Sequence, residues 1–140
     1  MIQEQKEKIL QALKKEHLVV LSTAVNGNPE AAVIDFSETK NLEIIFTTLV
    51  GYRKYKILKK NPKVALVFGG ERKLTIQYEG KAKEIGRVKF LPYMKYHFKK
   101  NPIEIKFAKM LEARFFKVTP TWIRYADYGA KPNEIFEIKF

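Results

Sequence analysis

Ile2, Ile9, Leu10 and Leu13 fall on one side of a helical wheel with lysines and glutamates on the other, which predicts an amphipathic helix over 2–16. The period then changes. Val and Leu dominate 17–25, Asn26-Gly27-Asn28-Pro29 is a strong turn signal, and apolar residues resume over 30–36, so a β-hairpin is expected. After a polar break at 37–41, the β-branched and aromatic run 42–48 predicts a third strand. Tyr52, Tyr55 and Leu58 recur at three-residue steps among Arg53, Lys54, Lys56, Lys59 and Lys60, the pattern of a short basic helix. Pro62 ends it, because the residue before a proline is pushed out of helical geometry.

A fourth strand is expected over 64–68, followed by a turn at Gly69-Gly70. Leu74, Ile76 and Tyr78 alternate with Thr75, Gln77 and Glu79, the signature of a half-buried strand, which Gly80 can bend before 81–85. Residues 86–112 read as helical and split. Asn101 suits a cap, Pro102 a first helical position and Glu104 a capping-box acid, with Ile103, Phe107, Met110 and Leu111 as the apolar stripe. Pro92 starts or kinks the earlier helix. Short strand-like runs return at 115–118, 122–125 and 135–140, separated by Pro120, Gly129 and Pro132. Many short antiparallel strands with helical inserts predict an α+β barrel rather than a parallel, doubly wound sheet. A chain of 140 residues, 46% of them hydrophobic, is expected to form a single domain over 1–140.

Composition narrows the chemistry. There is no cysteine, which removes disulfides, thiolate metal sites and thiol nucleophiles. His17 and His97 are isolated and have no carboxylate at ligand spacing, so no metal site is expected and both are taken as surface or partly buried residues. No apolar run reaches the length of a membrane span, and the opening MIQEQKEKIL lacks the apolar stretch of a secretory signal; a cytoplasmic protein without a membrane partner is the expectation. The formal charge of +12, from 27 Lys and Arg against 15 Asp and Glu, attracts anions but does not say which.

Placement of the charges says more. In Thr47-Thr48-Leu49-Val50-Gly51-Tyr52-Arg53-Lys54 a strand delivers two hydroxyls, a glycine allows a tight reversal, and a helix begins with an arginine and a lysine. A helix N-terminus presents unpaired N–H groups and partial positive charge, and cations in the first turn oppose that dipole unless an anion sits there. The segment reads equally as a phosphate cradle or as a solvated basic helix.

The ordered set HLVVLSTAVNGNPEAAVIDF, IIFTTLVGYRKYKILKKNPKVALVF and TIQYEGKAKEI, over residues 17–85, resembles the FMN-binding split-barrel family best known through pyridoxamine 5'-phosphate oxidase. The resemblance implies an antiparallel split β-barrel with flanking helices, a homodimer with flavin mononucleotide (FMN) at its interface, and hydride or electron transfer with a small-molecule substrate. It implies that Arg53 and Lys54 bind the FMN phosphate, that Thr47 and Thr48 supply contacts near phosphate and ring, and that the backbone of Ala32, Val33 and Ile34 runs along the isoalloxazine edge. Gln77 matches a position whose amide bonds the flavin, and Trp122 and Arg124 lie in a segment similar to the closing strand that caps the flavin from the partner subunit.

The C-terminal PTWIRYADYGAKPNEIFEIKF departs from the arginine-rich, substrate-binding end of the oxidases themselves. The same residues also have bland uses: threonines suit strands, Ala32 to Ile34 suit a core, Gln77 is the polar half of an alternating strand, and a single Trp packs well. Three alternatives stand beside the FMN enzyme: a flavin carrier, sensor or store without turnover; a deazaflavin protein; and a basic nucleic-acid-binding domain, for which no motif accompanies the charge.

Overall fold

The computed structural model describes residues 1–71 and 73–140 and, over 87–91, the backbone alone. The elements run α1 (Ile2–Lys15), β1 (Leu18–Val25), β2 (Asn28–Asp35), β3 (Ser37–Glu38), β4 (Ile44–Leu49), α2 (Arg53–Lys60), β5 (Lys63–Gly69), β6 (Leu74–Ile85), α3 (Arg87–Lys100), a 3-10 helix (Pro102–Lys109), β7 (Ala113–Asp127) and β8 (Glu134–Lys139). All the strand pairings are antiparallel, in the order β2-β1-β5-β6-β7-β4-β3. β7 pairs β6 along one edge, and on the other its first half pairs β4 and its second half β8. β2 and β4 come into contact across the open side, which curls the sheet into the expected split barrel with flanking helices.

Alternation decides what lies inside. Val19 and Leu21 of β1, Leu66 and Phe68 of β5, Ile76 and Tyr78 of β6, and Val118 and Ile123 of β7 point inward, where Ile9 and Leu13 of α1 and Leu58 of α2 close the core. The buried Tyr78 hydroxyl donates to the Leu42 carbonyl at 2.7 Å, tying the strand centre to the loop before β4. A second, smaller cluster on the other side of the sheet joins Ile45, Ile85, Phe98, Ala113 and Phe115 under α3 and the 3-10 helix. Asn26 (φ 51°) and Gly27 (φ 77°) make the hairpin turn with two left-handed residues, as the NG dipeptide predicts. Among the described residues no helix is long and apolar enough to cross a membrane.

Several expectations need correction. The C-terminal runs at 115–118 and 122–125 are one strand, because a register shift opposite Glu79 and Gly80 absorbs the Pro120 region. Gly80 is required there: a Cβ would stand 2.4 Å from the Thr119 carbonyl oxygen. The polar break at 37–41 includes β3, whose Ser37 and Glu38 are buried.

The second half of the 86–112 insert is 3-10, not α. At three residues per turn Glu104, Phe107 and Met110 share the inward face, so Ile103 and Leu111 of the expected stripe are 72% and 83% exposed. Asn101 makes no capping bond; its side-chain amide donates to the carbonyls of Phe36 (2.8 Å) and His97 (3.2 Å). Glu104 turns away from a capping box to His97, and His97 is fully buried rather than on the surface or partly buried.

Candidate functional site

β4 ends at Leu49, turns through Val50-Gly51-Tyr52 and enters α2 at Arg53. The first turn of α2 has no acidic residue of its own and its N-cap, Tyr52, offers no side-chain bond, so the carboxylate that meets this positive end comes from Glu30 of β2. Arg53 is exposed, and its Nε lies 3.1 Å from Glu30 Oε2 on the inward-facing side of β2. Lys54 is half-buried with Nζ 5.2 Å from the centroid of the Tyr52 ring; burial holds its pKa below the ordinary lysine value, while Glu30 pulls it back up.

Four buried side-chain atoms among the described residues lack a hydrogen-bond partner: Thr47 Oγ1, Thr48 Oγ1, Glu30 Oε2 and Glu84 Oε1. Both carboxylate oxygens have a cation beside them, Arg53 Nε at 3.1 Å and Lys59 Nζ at 3.0 Å, in geometry short of a hydrogen bond. The two threonine hydroxyls have nothing. Leaving a buried hydroxyl unpaired costs about 1–3 kcal/mol, and one of the two, Thr48, lies on the side of the strand that the cationic helix covers.

The ten residues singled out in the sequence do not form one cluster. Thr48 shares its face of β4 with the inward Ile44 and Phe46, on the barrel side that α2 covers, whereas Thr47 alternates to the opposite face with Ile45. On β2, Ala32 and Ile34 share the inner face with Glu30, and Ile34 is buried in the core; Val33 points out and is 63% exposed. Gln77 and Arg124 are direct cross-strand partners on the outer face. Register carries a continuous outer row from Val33 through Val20, Val67 and Gln77 to Arg124 and Glu137. Trp122 lies one pair along, half-buried rather than in the core, and its indole N–H donates to Glu137 Oε1 at 2.7 Å.

The chain thus presents these residues in two groups: Thr48, Arg53 and Lys54 beside Glu30, and an outer sheet face carrying Val33, Gln77, Trp122 and Arg124. Glu30 was missed in the sequence because nothing local to the hairpin signals a partner on α2. Also missed was the buried chain Ser37–His97–Glu104, with Ser37 Oγ 2.7 Å from His97 Nδ1 and Glu104 Oε1 2.7 Å from His97 Nε2.

Comparison with known proteins adds three facts. A sequence profile described as pyridoxamine 5'-phosphate oxidase matches residues 5–127. A search of curated proteins finds no match. Solved structures share the fold at low identity. General Stress Protein 26 from Bacillus anthracis str. Sterne is 23% identical with a TM-score of 0.75, over 96% of this chain and 99% of that one. A heme binding protein from Mycobacterium smegmatis is 10% identical with a TM-score of 0.81, over 96% of this chain and 57% of that one. A protein of unknown function from Agrobacterium tumefaciens str. C58 is 12% identical with a TM-score of 0.77, over 87% of this chain and 56% of that one. This chain therefore spans just over half the length of the last two.

Proposed function

Because the chain belongs to the pyridoxamine 5'-phosphate oxidase family, we propose that it is an FMN-binding protein, and an oxidoreductase acting on a small molecule, assembled as a homodimer. The observation that carries this is the unsatisfied buried hydroxyl of Thr48 on the side of β4 that α2 covers, next to an α2 N-terminus with no side-chain cap and no acid in its own first turn. A phosphate dianion suits those groups: it accepts from backbone N–H, from hydroxyls and from cations at once.

In this account Arg53 and Lys54 hold the phosphate, and Arg53 exchanges its ion pair with Glu30 for a bidentate one. Thr48 donates from the barrel side; Thr47, on the opposite face of the strand, does not reach the same phosphate. The backbone of Ala32, Val33 and Ile34 lines the ring. Gln77, Trp122 and Arg124 lie on the other face of the same sheet, so they serve the flavin of a second copy; this is why two chains are required. Bound FMN supplies hydride or electron transfer, and the protein's own part is to bind, orient and shield it.

The test is a visible absorption spectrum of purified protein, with mass identification of the released chromophore. FMN at one per chain is expected. A colourless protein that takes up no FMN contradicts the proposal, and a deazaflavin would correct the cofactor. Bleaching of the bound flavin by NADPH separates an enzyme from a carrier or store.

A further inference from the structure

The exposed side of α2 carries groups that the flavin proposal does not use. Lys56 and Lys60 follow Arg53 at intervals of three and four residues, so the three cations rise along one side of the helix. Opposite them stands the β1–β2 hairpin, and the groove between encloses about 480 Å3. Val25, Pro29 and Ile57 give it an apolar floor, and Glu30 also lines it, its buried Oε2 3.1 Å from Arg53 Nε.

We propose that this groove binds a nucleoside diphosphate, either free or as half of a dinucleotide. The base lies on Val25, Pro29 and Ile57, a ribose hydroxyl donates to the Glu30 carboxylate, and the phosphates meet Lys56 and Lys60. Each part excludes a simpler occupant. A bare phosphate leaves the Glu30 carboxylate without a donor and the apolar floor unused. An apolar molecule leaves the lysines idle. The volume is within the range of a single small-molecule site, and among the described residues no aromatic side chain lines it to stack successive bases, which argues against a strand of nucleic acid.

Titration calorimetry with ADP, 2',3'-dideoxy-ADP, inorganic pyrophosphate and a ten-residue oligouridylate tests this on wild-type protein and on the double variant Lys56→Glu, Lys60→Glu. ADP is expected to bind at one site per chain and to lose about tenfold or more in affinity in the double variant, since a hydrogen bond to a charged group is worth about a tenfold change or more. Removing the ribose hydroxyls is expected to weaken binding several-fold. Both substituted lysines are exposed, and an FMN titration on the same samples reports separately on the flavin site. ADP binding without FMN binding keeps this proposal and removes the flavin one; FMN binding without ADP binding does the reverse. Equal ADP affinity in wild type and double variant, pyrophosphate binding as tightly as ADP, dideoxy-ADP binding as tightly as ADP, or an oligouridylate binding more tightly than ADP would each overturn it.

Discussion

Two polar regions interrupt the apolar packing, and they are built on opposite principles. Around His97 the side chains of Ser37, Glu38, Asn101 and Glu104 are buried, and none of the unpaired atoms among the described residues belongs to them. Glu38 takes Tyr96 on one oxygen and Lys100 on the other; Lys100 also donates to the Leu13 carbonyl at 3.0 Å and lies 4.0 Å from the centroid of Phe36. At the β4–α2 junction the hydroxyls of Thr47 and Thr48 are buried and unanswered, and the first turn of α2 has neither a side-chain cap nor an acid of its own. A completed network holds α3 and the 3-10 helix against the barrel and asks nothing of the outside. An incomplete one costs stability that a ligand can return.

The contrast is broken most severely by Glu38→Ala. It would strand the Lys100 ammonium, whose pKa burial already pulls below the usual lysine value against the opposing pull of Glu38. Removing one partner of a buried pair costs about 3–5 kcal/mol, to be read from urea unfolding. Next in size is Arg53→Ala, which should weaken FMN binding by about 1.5–3 kcal/mol in a fluorescence titration and leave stability nearly unchanged, because Arg53 makes its ion pair with Glu30 from an exposed position. Unaltered FMN affinity would return α2 to the status of a solvated basic helix.

Smaller and opposite in sign is Thr48→Val. Replacing an unpaired buried hydroxyl by a methyl should raise the unfolding free energy of flavin-free protein by about 1 kcal/mol and lower FMN affinity. Ser37→Ala, made in the completed network, should do the reverse and destabilise.

The smallest effect concerns pH. Burial, and then the neighbouring Glu104, hold the Asp35 carboxyl above the ordinary aspartate range. The folded state therefore binds that proton more tightly than the unfolded chain, so the stabilisation is full below the unfolded pKa and is lost as pH rises through the raised one. Asp35→Asn should flatten the fall in stability on that limb, measured by thermal melting from about pH 4 to 7. A parallel limb in wild type and variant would place the proton elsewhere.

The barrel was legible because strand alternation and turn residues are local: β1, β2, β4, β5 and β6 fall within two residues of their expected bounds. The insert after β6 was not, since its burial depends on a three-residue rather than a 3.6-residue period, and nothing in the residues of 102–109 distinguishes the two before tertiary contact does. His97 shows the same limit. Its surroundings come from β3, α3 and the 3-10 helix, 60 residues apart in sequence for the Ser37 contact, so an isolated histidine looked unremarkable. At the site, the order of Thr47, Thr48, Arg53 and Lys54 could be read directly. The opposed directions of the two threonines, the Glu30 contact and the division of the remaining residues onto the outer face depend on sheet register, which no short motif encodes.

The central claim is that the incomplete junction recognises a phosphate. Side-by-side fluorescence titrations of FMN and riboflavin into flavin-free protein test it most directly, since the two ligands differ only in that group. Binding of FMN at least tenfold tighter than riboflavin is predicted, with the difference abolished in Arg53→Ala; equal affinities for the two in the wild-type protein would contradict it.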